Sequence, residues 1–390
     1  MQPSDYSSPF TRFLFDSPLH TKRGRIVFAL ITLSVLSLAA HTWIGWLTPL
    51  KSGLILLFGL FFALLGSTLG LLLLTYLDRR EPEPWAISSG VMLVSTTIAT
   101  AAAAFFNGLS PVPTLTVGLN EEFWKVSPLL LFVFFAPRVV SGVRDGMIYG
   151  AIGGFGFNIM ETAVYILRSS YPKLGLLEGT TMQLSRLGWW GIENHVIWSA
   201  LVGAGIGYAV QKTKPSRFRL AVPVGAYLMA ALTHTLQDIG VSAILLVAIT
   251  LGMAQMFGLD PKNPEQVSQF MPTIMALEAL AINVVILPIL LYALVRSGDW
   301  ERSVIRQQLV GEQPTVVTPE ELKGIESEQR FGIRRIPGYS KSVGRAIRNA
   351  QNNLAFHKQY LKKRGRSSYE EPLADYLRSE VTRLRTHIAA

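Results

Sequence analysis

Apolar runs of about 20 residues follow one another along most of the chain, and they limit the possible folds more than any other feature. Eight runs lie near residues 26–47, 53–77, 85–107, 113–136, 145–168, 189–210, 219–240 and 271–295. A helix of about 20 apolar residues spans the hydrocarbon core of a bilayer. Only 16% of the residues are charged, whereas soluble domains contain roughly 25%. The sequence therefore predicts an all-α fold, a polytopic membrane bundle of about eight transmembrane helices.

A further apolar run, residues 241–257, directly follows the seventh. It fits a ninth span, a re-entrant segment, or an extension of the seventh helix beyond Gly240. Lysine and arginine in short loops mark the cytoplasmic side of a membrane. Such residues occur near both termini and in the loops around 79–80, 138–144 and 212–219. Two cytoplasmic termini require an even number of spans and favour eight, although Lys173 and Arg186 mildly contradict this topology.

The two ends of the chain differ in composition from its apolar middle. Residues 1–25 are polar and basic, and we expect a cytoplasmic segment before a retained membrane anchor. The membrane domain is predicted over 26–295, with its motifs within about 113–240. Residues 296–390 hold 18 Lys and Arg against 11 Asp and Glu, a net charge of +7. We expect a basic cytoplasmic tail of amphipathic helices, either solvated or docked on anionic lipid or a partner, whose removal leaves the chemistry intact.

Ionisable residues are concentrated in four consecutive spans, the fourth to the seventh. They are Glu121, Glu122, Lys125, Glu161, Glu193, His195, His234 and Asp238. A charge at mid-membrane costs about 2.5–3.5 kcal/mol, so such residues indicate a functional site. From the rise per residue, Glu121 and Glu161 lie roughly 10–12 Å below the outer ends of their helices. His195 and His234 lie roughly 9 Å below theirs. Helices of alternating direction thus bring these groups to one level, which predicts a single site.

Helical phase separates the two adjacent glutamates. Glu121 and Lys125 are four residues apart on one helix face and can pair, whereas Glu122 is turned about 100° away. We therefore expect the two carboxylates to have different partners. His234 and Asp238 are also four residues apart, so the aspartate can accept a ring N–H and fix the histidine tautomer. A structural ion pair and a helix-packing hydrogen bond are the alternative interpretations of these two pairs.

Other residues of the apolar runs receive structural interpretations. The glycines between Gly146 and Gly156 are typical of close helix packing, which brings Glu161 near its partners. We expect Glu193 at the water interface, and Glu278, isolated in its span, in a structural role. The chain contains no cysteine, which excludes disulfides, thiolate metal sites and cysteine nucleophiles.

Four motifs in these spans resemble those of the PrsW family of intramembrane proteases. GLNEEFWKV is similar to the family's EExxK motif, and GFGFNIMETAVYIL is similar to FxxxE, ending at Glu161. ENHVIWSALVGAGIGYA resembles the single-histidine motif through His195, and ALTHTLQDIG resembles HxxxD through His234 and Asp238. Each motif alone is weak. All four occur in order within residues 70–240, which makes the combination fairly specific.

The resemblance implies hydrolysis of a peptide bond in a membrane-embedded protein. It assigns catalytic roles to Glu121, Glu122, His195 and His234 and supporting roles to Lys125, Glu161 and Asp238. In the related CAAX prenyl proteases a glutamate and a histidine activate water without a metal. Carried to this chain, Glu121 or Glu122 is the general base, and His234 polarises the carbonyl. The family also implies a single-pass membrane protein as substrate, in a prokaryotic-type plasma membrane, and no nucleic acid.

Metal dependence stays open on the sequence. The family is usually described as metalloproteases, and Glu161, His195 and His234 are the candidate ligands for Zn²⁺; otherwise no cofactor is implied. An HExxH motif is absent, so a zincin site is unsupported. We favour the metal-independent mechanism. A proton-coupled transporter that uses the same Glu, His and Asp residues as a relay is the alternative function, and a receptor or scaffold acting through the basic tail is the third.

Overall fold

The computed structural model describes residues 50–135, 138–188, 191–212, 218–258, 260–328, 332–368 and 371–386. Within these ranges the chain is helical and forms no β-strand, which confirms the predicted all-α class. The predicted N-terminal segment 1–25 and the first predicted span, 26–47, lie outside the described residues.

Seven helices form the first half of the apolar part. They are α1 (Leu50–Gly66), α2 (Thr68–Leu77), α3 (Trp85–Val94), α4 (Thr100–Leu109), α5 (Pro113–Phe135), α6 (Val143–Tyr165) and α7 (Tyr171–Leu174). The π-helical turn Ser95–Ala99 joins α3 to α4, and a second π turn, Ile166–Ser170, joins α6 to α7. Such turns are rare and often lie beside functional sites.

Six more helices complete the apolar part. They are α8 (Leu176–Ser185), α9 (Asn194–Gln211), α10 (Phe218–Leu236), α11 (Ser242–Phe257), α12 (Pro264–Ile282) and α13 (Ile286–Leu309). A third π turn, Gln237–Val241, joins α10 to α11 with a kink at Gly240, whose φ is +109°. The ambiguous run 241–257 thus forms a helix that follows the seventh predicted helix across this kink, where only glycine adopts the required backbone conformation readily.

Three helices among the described residues are both long enough and apolar enough to cross a membrane by themselves. They are Trp85–Leu109, Val143–Leu174 and Phe218–Phe257. The number rises to five if each of two bent pairs is one span. The first pair, α1 with α2, bends by 44°, and the second, α12 with α13, bends by 76°. The predicted runs 53–77 and 271–295 are thus interrupted helices, and a total of eight spans is still a prediction.

Helices α6 and α9 form the centre of the bundle because glycines let their backbones touch. A Cβ added to Gly203 would lie 2.0 Å from the carbonyl oxygen of Gly146. One added to Gly154 would lie 2.6 Å from the carbonyl oxygen of His195. Side chains larger than hydrogen would therefore force the two helices apart. The expected role of these glycines is confirmed, and Gly154 packs directly against the backbone of a predicted site residue.

The C-terminal region folds around a hydrophobic cluster of its own. Its helices are the end of α13, α14 (Pro319–Glu326), α15 (Lys341–Lys363) and α16 (Pro372–Thr386). Ile305, Ile347 and Val381 are among the buried residues of this cluster. α13 runs through residue 296, the predicted domain boundary, without a break. One helix therefore belongs to both the apolar bundle and the C-terminal cluster.

Buried ionic contacts join the C-terminal region to the bundle. The guanidinium of Arg144, in the first turn of α6, donates to Oε2 of Glu301 at 2.8 Å. Arg80 lies 3.9 Å from the same carboxylate and 3.5 Å from that of Glu328. Asn352 on α15 donates to the backbone carbonyl of Arg80 at 2.6 Å. The segment after α2 and the start of α6 thus form the docking surface for this region.

Candidate active site

Four helices deliver the predicted site residues to one cluster. α5 carries Glu121, Glu122 and Lys125; α6 carries Glu161; α9 carries His195; α10 carries His234, with Asp238 in the π turn that follows. The histidine rings lie 5.0 Å apart between centroids. The structure thus brings the polar groups of four different predicted spans together.

The ammonium group of Lys125 lies at the centre of the cluster. It donates to Oε1 of Glu122 at 2.8 Å and to Nδ1 of His195 at 2.6 Å. It also lies 3.4 Å from Oε2 of Glu121. Lys125 therefore pairs with Glu121 as expected, but it also pairs with Glu122, so the expectation that the two carboxylates have different partners is wrong for this lysine. Residues three apart and residues four apart are both neighbours on a helix surface, so one lysine reaches both carboxylates.

His195 is held from both sides of its ring. Nδ1 accepts from Lys125, so the ring hydrogen lies on Nε2, which donates to Oε2 of Glu161 at 2.9 Å. The Lys125 ammonium also lies 4.5 Å from the ring centroid of Phe157, the first residue of the FxxxE motif. The side chain of His195 is buried. These contacts fix the tautomer and the orientation of the imidazole.

His234 is oriented by Glu122 and not by Asp238. Its Nδ1 donates to Oε1 of Glu122 at 3.0 Å. Oδ2 of Asp238 lies 3.8 Å from Nε2, which is beyond hydrogen-bond distance. The predicted Asp238–His234 hydrogen bond is therefore wrong in this structure. The π turn places Asp238 beside the ring but turned toward the surface, where its side chain is 35% exposed.

One carboxylate oxygen of Glu121 has no hydrogen bond from a described residue. Its Oε1 accepts from Nδ2 of Asn107 on α4 at 3.0 Å. Its Oε2 is buried and has no hydrogen-bond partner among the described residues. That atom lies 3.7 Å from Nε2 of His234, a ring nitrogen that also lacks a hydrogen bond to a described residue. A carboxylate oxygen and an imidazole nitrogen thus face the same small space.

A second ion-pair group borders the cluster on the side of Glu161. Arg186 lies 2.7 Å from Oε1 of Glu193 and 3.4 Å from Oε2 of Glu161. Tyr165 donates its hydroxyl to the other oxygen of Glu161 at 3.2 Å. Glu193 is only 5% exposed. The expectation that Glu193 lies at the water interface is therefore wrong, because Arg186 provides the charge that permits its burial.

Several residues that support the cluster were not predicted from the sequence. Asn107 contacts Glu121, and Asn120 donates to the side-chain oxygen of Asn107 at 2.7 Å. Trp198 stacks on His234 with 4.5 Å between ring centroids. Glu278, which was expected in a structural role, accepts from the hydroxyl of Ser242 on α11 at 2.8 Å. The asparagines in apolar runs could have indicated such a role, because an amide without hydrogen-bond partners is costly in a membrane.

Two overlapping groups of side chains have the donors and the spacing that a metal ion needs. Glu121, His195 and His234 form the first, and Glu161, Glu193 and His195 the second; in each, the ligand atoms lie within 4.8 Å of one another. Two imidazoles and one carboxylate are the donors of many catalytic zinc sites. Oε2 of Glu121 has no hydrogen bond from a described residue, so it can act as a ligand in the first group. The residues therefore fit a metal, provided that Lys125 releases Nδ1 of His195.

Comparison with known proteins agrees with this geometry. Residues 56–259, just over half of the chain, match the family model described as PrsW family intramembrane metalloprotease. A search of curated proteins found no match, and neither did a search of solved structures. The matched range contains all seven predicted site residues. Together, the ordered motifs, the buried cluster that their residues form and the family match show that the chain belongs to the PrsW family of intramembrane metalloproteases.

Proposed function

We propose that this membrane protease uses Glu121 as its general base and that Glu122 orients His234. The observation that supports this division is the buried Oε2 of Glu121, which has no hydrogen bond from a described residue and lies 3.4 Å from the Lys125 ammonium and 3.7 Å from Nε2 of His234. Glu122, in contrast, already accepts from both Lys125 and His234 through Oε1. A general base must lie within reach of the water that it deprotonates. Of the two glutamates, Glu121 meets this requirement.

In the proposed reaction, Glu121 first accepts one proton and later donates it. Its carboxylate takes a proton from water while the water oxygen attacks the scissile carbonyl carbon. When the C–N bond breaks, the leaving nitrogen receives that proton from Glu121. His234, with Nδ1–H donated to Glu122, stabilises the developing oxyanion through a protonated Nε2. Lys125 holds Glu122 and His195 in place by its two hydrogen bonds.

A metal gives a second form of the same proposal. Glu121, His195 and His234 would hold it, and Zn²⁺ is the ion whose preferred donors they match. A bound metal supplies Lewis-acid polarisation of the scissile carbonyl. In that form Nε2 of His234 carries no proton, because a ligand nitrogen must offer its lone pair. The protonation state of His234 therefore distinguishes the two forms.

The finer predictions on topology belong to this proposal. We propose eight spans with both termini in the cytoplasm of a prokaryotic-type cell, a membrane domain over 26–295 and a basic cytoplasmic region over 296–390. A single-pass membrane protein is the proposed substrate, and anionic lipid or a cytoplasmic protein is the proposed partner of the C-terminal region. The family match favours proteolysis over proton-coupled transport.

Cleavage of tagged single-pass membrane proteins by the purified protein in lipid nanodiscs tests the proposal. We expect wild type to cleave at least one member of such a panel, and Glu121→Gln to abolish cleavage while its melting temperature stays close to wild type. Glu178→Gln, a change at an exposed glutamate on α8, is the matched control and should cleave normally. Loss of activity with a chelator and its return with Zn²⁺ would select the metal form. Wild-type activity in Glu121→Gln would refute the assignment of the base.

A further inference from the structure

The break between α12 and α13 contains a fully buried asparagine. Asn283 is the residue after α12, at the point where the two helices bend by 76°. Its Nδ2 donates to Oδ1 of Asn194 at 2.6 Å and to the carbonyl oxygen of Ala279 at 2.9 Å. Its Oδ1 accepts from the indole N–H of Trp198 at 2.9 Å. Both ends of the amide are thus used: the bonds with Asn194 and Trp198 join the break to α9, and the bond to Ala279 joins it to α12.

The indole that Asn283 holds is packed against both histidines of the active site. The ring of Trp198 is fully buried and stacks on His234, with 4.5 Å between centroids and 27° between planes. It meets His195 edge to face at 5.6 Å and 88°. An indole has one polar hydrogen, and in this protein Asn283 accepts it. The hydrogen bond therefore fixes the orientation of the indole ring that stacks on His234.

The second bond from Asn283 reaches the start of α9. Asn194 is the first residue of that helix and directly precedes His195. Its own Nδ2 donates to Oε1 of Gln237 at 2.6 Å and lies 3.4 Å from Oε2 of Glu278. Gln237 begins the π turn three residues after His234. The break in α12–α13 is consequently tied to both helices that carry catalytic histidines.

We propose that Asn283 is a positioning residue of the protease site and that it acts on His234 through Trp198. The inference rests on the proposed catalytic role of His234. Asn283 lies outside the family-matched range 56–259, whereas Trp198 and His234 lie inside it. The active site of this chain is therefore completed by a helix break beyond the shared region. Small displacements of a catalytic group are enough to lower turnover on the order of 100-fold, which is the loss that we expect for Asn283→Ala.

A spectroscopic test needs no substrate. The chain has six histidines, and ¹³C-labelled histidine in nanodisc-embedded protein allows their ring resonances to be followed. The His234 signal, assigned from its absence in His234→Gln, should be shifted by the ring current of the stacked indole. We expect Asn283→Ala and Trp198→Phe each to move it, and Asn283→Ala to add no further shift in a Trp198→Phe background. Asn353→Ala, at an exposed position on α15, is the matched control.

Kinetics on a cleaved substrate supply the second readout. Asn283→Ala should lower kcat with little change in KM, because the substituted residue does not contact substrate. Should Asn283→Ala fail to fold, Trp198→Phe removes the same hydrogen bond from its other end and carries the test. An unmoved His234 signal in a folded variant overturns the proposal, and so does a moved signal with an unchanged kcat. If wild type cleaves nothing, the proposed function fails, and the His234 signal alone decides whether Asn283 positions that ring.

Discussion

Adjacent glutamates in the EExxK motif have different neighbours. Glu122 is completely buried and accepts from Lys125 and His234, so it is fixed in place. Glu121 accepts a hydrogen bond from Asn107 at Oε1, and its Oε2 lies 3.4 Å from the Lys125 ammonium and 3.7 Å from Nε2 of His234. Burying two carboxylates beside one ammonium costs free energy, and such a costly arrangement within a membrane protein indicates a function. The arrangement favours a division into one reacting carboxylate and one orienting carboxylate.

Lys125→Met tests the central cation of the cluster. Removing the ammonium leaves Glu122 as a buried carboxylate without its positive partner, which costs about 3–5 kcal/mol. We expect a lower melting temperature and the loss of cleavage. Lys125→Met combined with Glu122→Gln removes both charges and should recover most of the melting temperature without restoring cleavage.

Lys173→Met, at an exposed position on α7, is the control for the loss of a lysine and should behave as wild type. Thermal unfolding in nanodiscs and cleavage of one substrate measure the two effects separately. If Lys125→Met alone leaves stability and activity unchanged, the ammonium has no structural or catalytic role in the cluster.

At the scale of helices, composition predicted the elements well and their interruptions poorly. The runs 53–77 and 271–295 read as continuous spans, yet the chain bends at Ser67 and at Asn283. Both are small polar residues in apolar surroundings, and hydropathy averages hide them. At the second bend, Asn283 accepts a hydrogen bond from Trp198, 85 residues earlier in the chain. A pairing at that separation cannot be found from local sequence patterns.

The segment that follows α2 also contains a buried carboxylate, and it predicts a pH dependence. Asp78 is 8% exposed, and its Oδ2 accepts from the backbone N–H of Glu83 at 2.6 Å. Burial, together with repulsion from Asp145 and Glu301, raises the pKa of Asp78 from 3.8 to about 8. The folded protein then holds a proton that the unfolded chain releases between these values. Stability from this residue therefore falls as the pH rises from about 4 to about 8.

Asp78→Asn should abolish that part of the pH dependence, because an amide imitates the protonated carboxyl group. We expect the variant and wild type to have similar melting temperatures near pH 4 and the variant to be more stable near pH 8. Thermal unfolding in nanodiscs at intervals between these two pH values provides the comparison. Asp260→Asn, in an exposed loop, should follow wild type. Parallel curves for wild type and Asp78→Asn would contradict the raised pKa.

At the scale of the whole molecule, the C-terminal region is joined to the bundle more firmly than its composition suggested. A net charge of +7 indicated a solvated appendage. In the structure, however, Glu301 in α13 pairs with Arg144 at the start of α6, the helix that carries Glu161 at its other end. The sequence showed that both regions are helical. It could not show that their charges meet, because Arg144 and Glu301 are 157 residues apart.

Glu301→Gln tests whether this contact holds the two regions together. The change leaves Arg144 and Arg80 buried without the carboxylate that they share, so we expect a destabilisation of about 3–5 kcal/mol. Asp299→Asn, two residues earlier and nearer the surface, should cost far less. Truncation after residue 300 removes Glu301 and the C-terminal cluster together, and it should destabilise the bundle at least as much as Glu301→Gln. This expectation replaces the prediction from composition that such a truncation leaves cleavage intact. Thermal unfolding and substrate cleavage of the truncated protein in nanodiscs together decide between the two, since unchanged stability and unchanged cleavage would mean that the region is only an appendage.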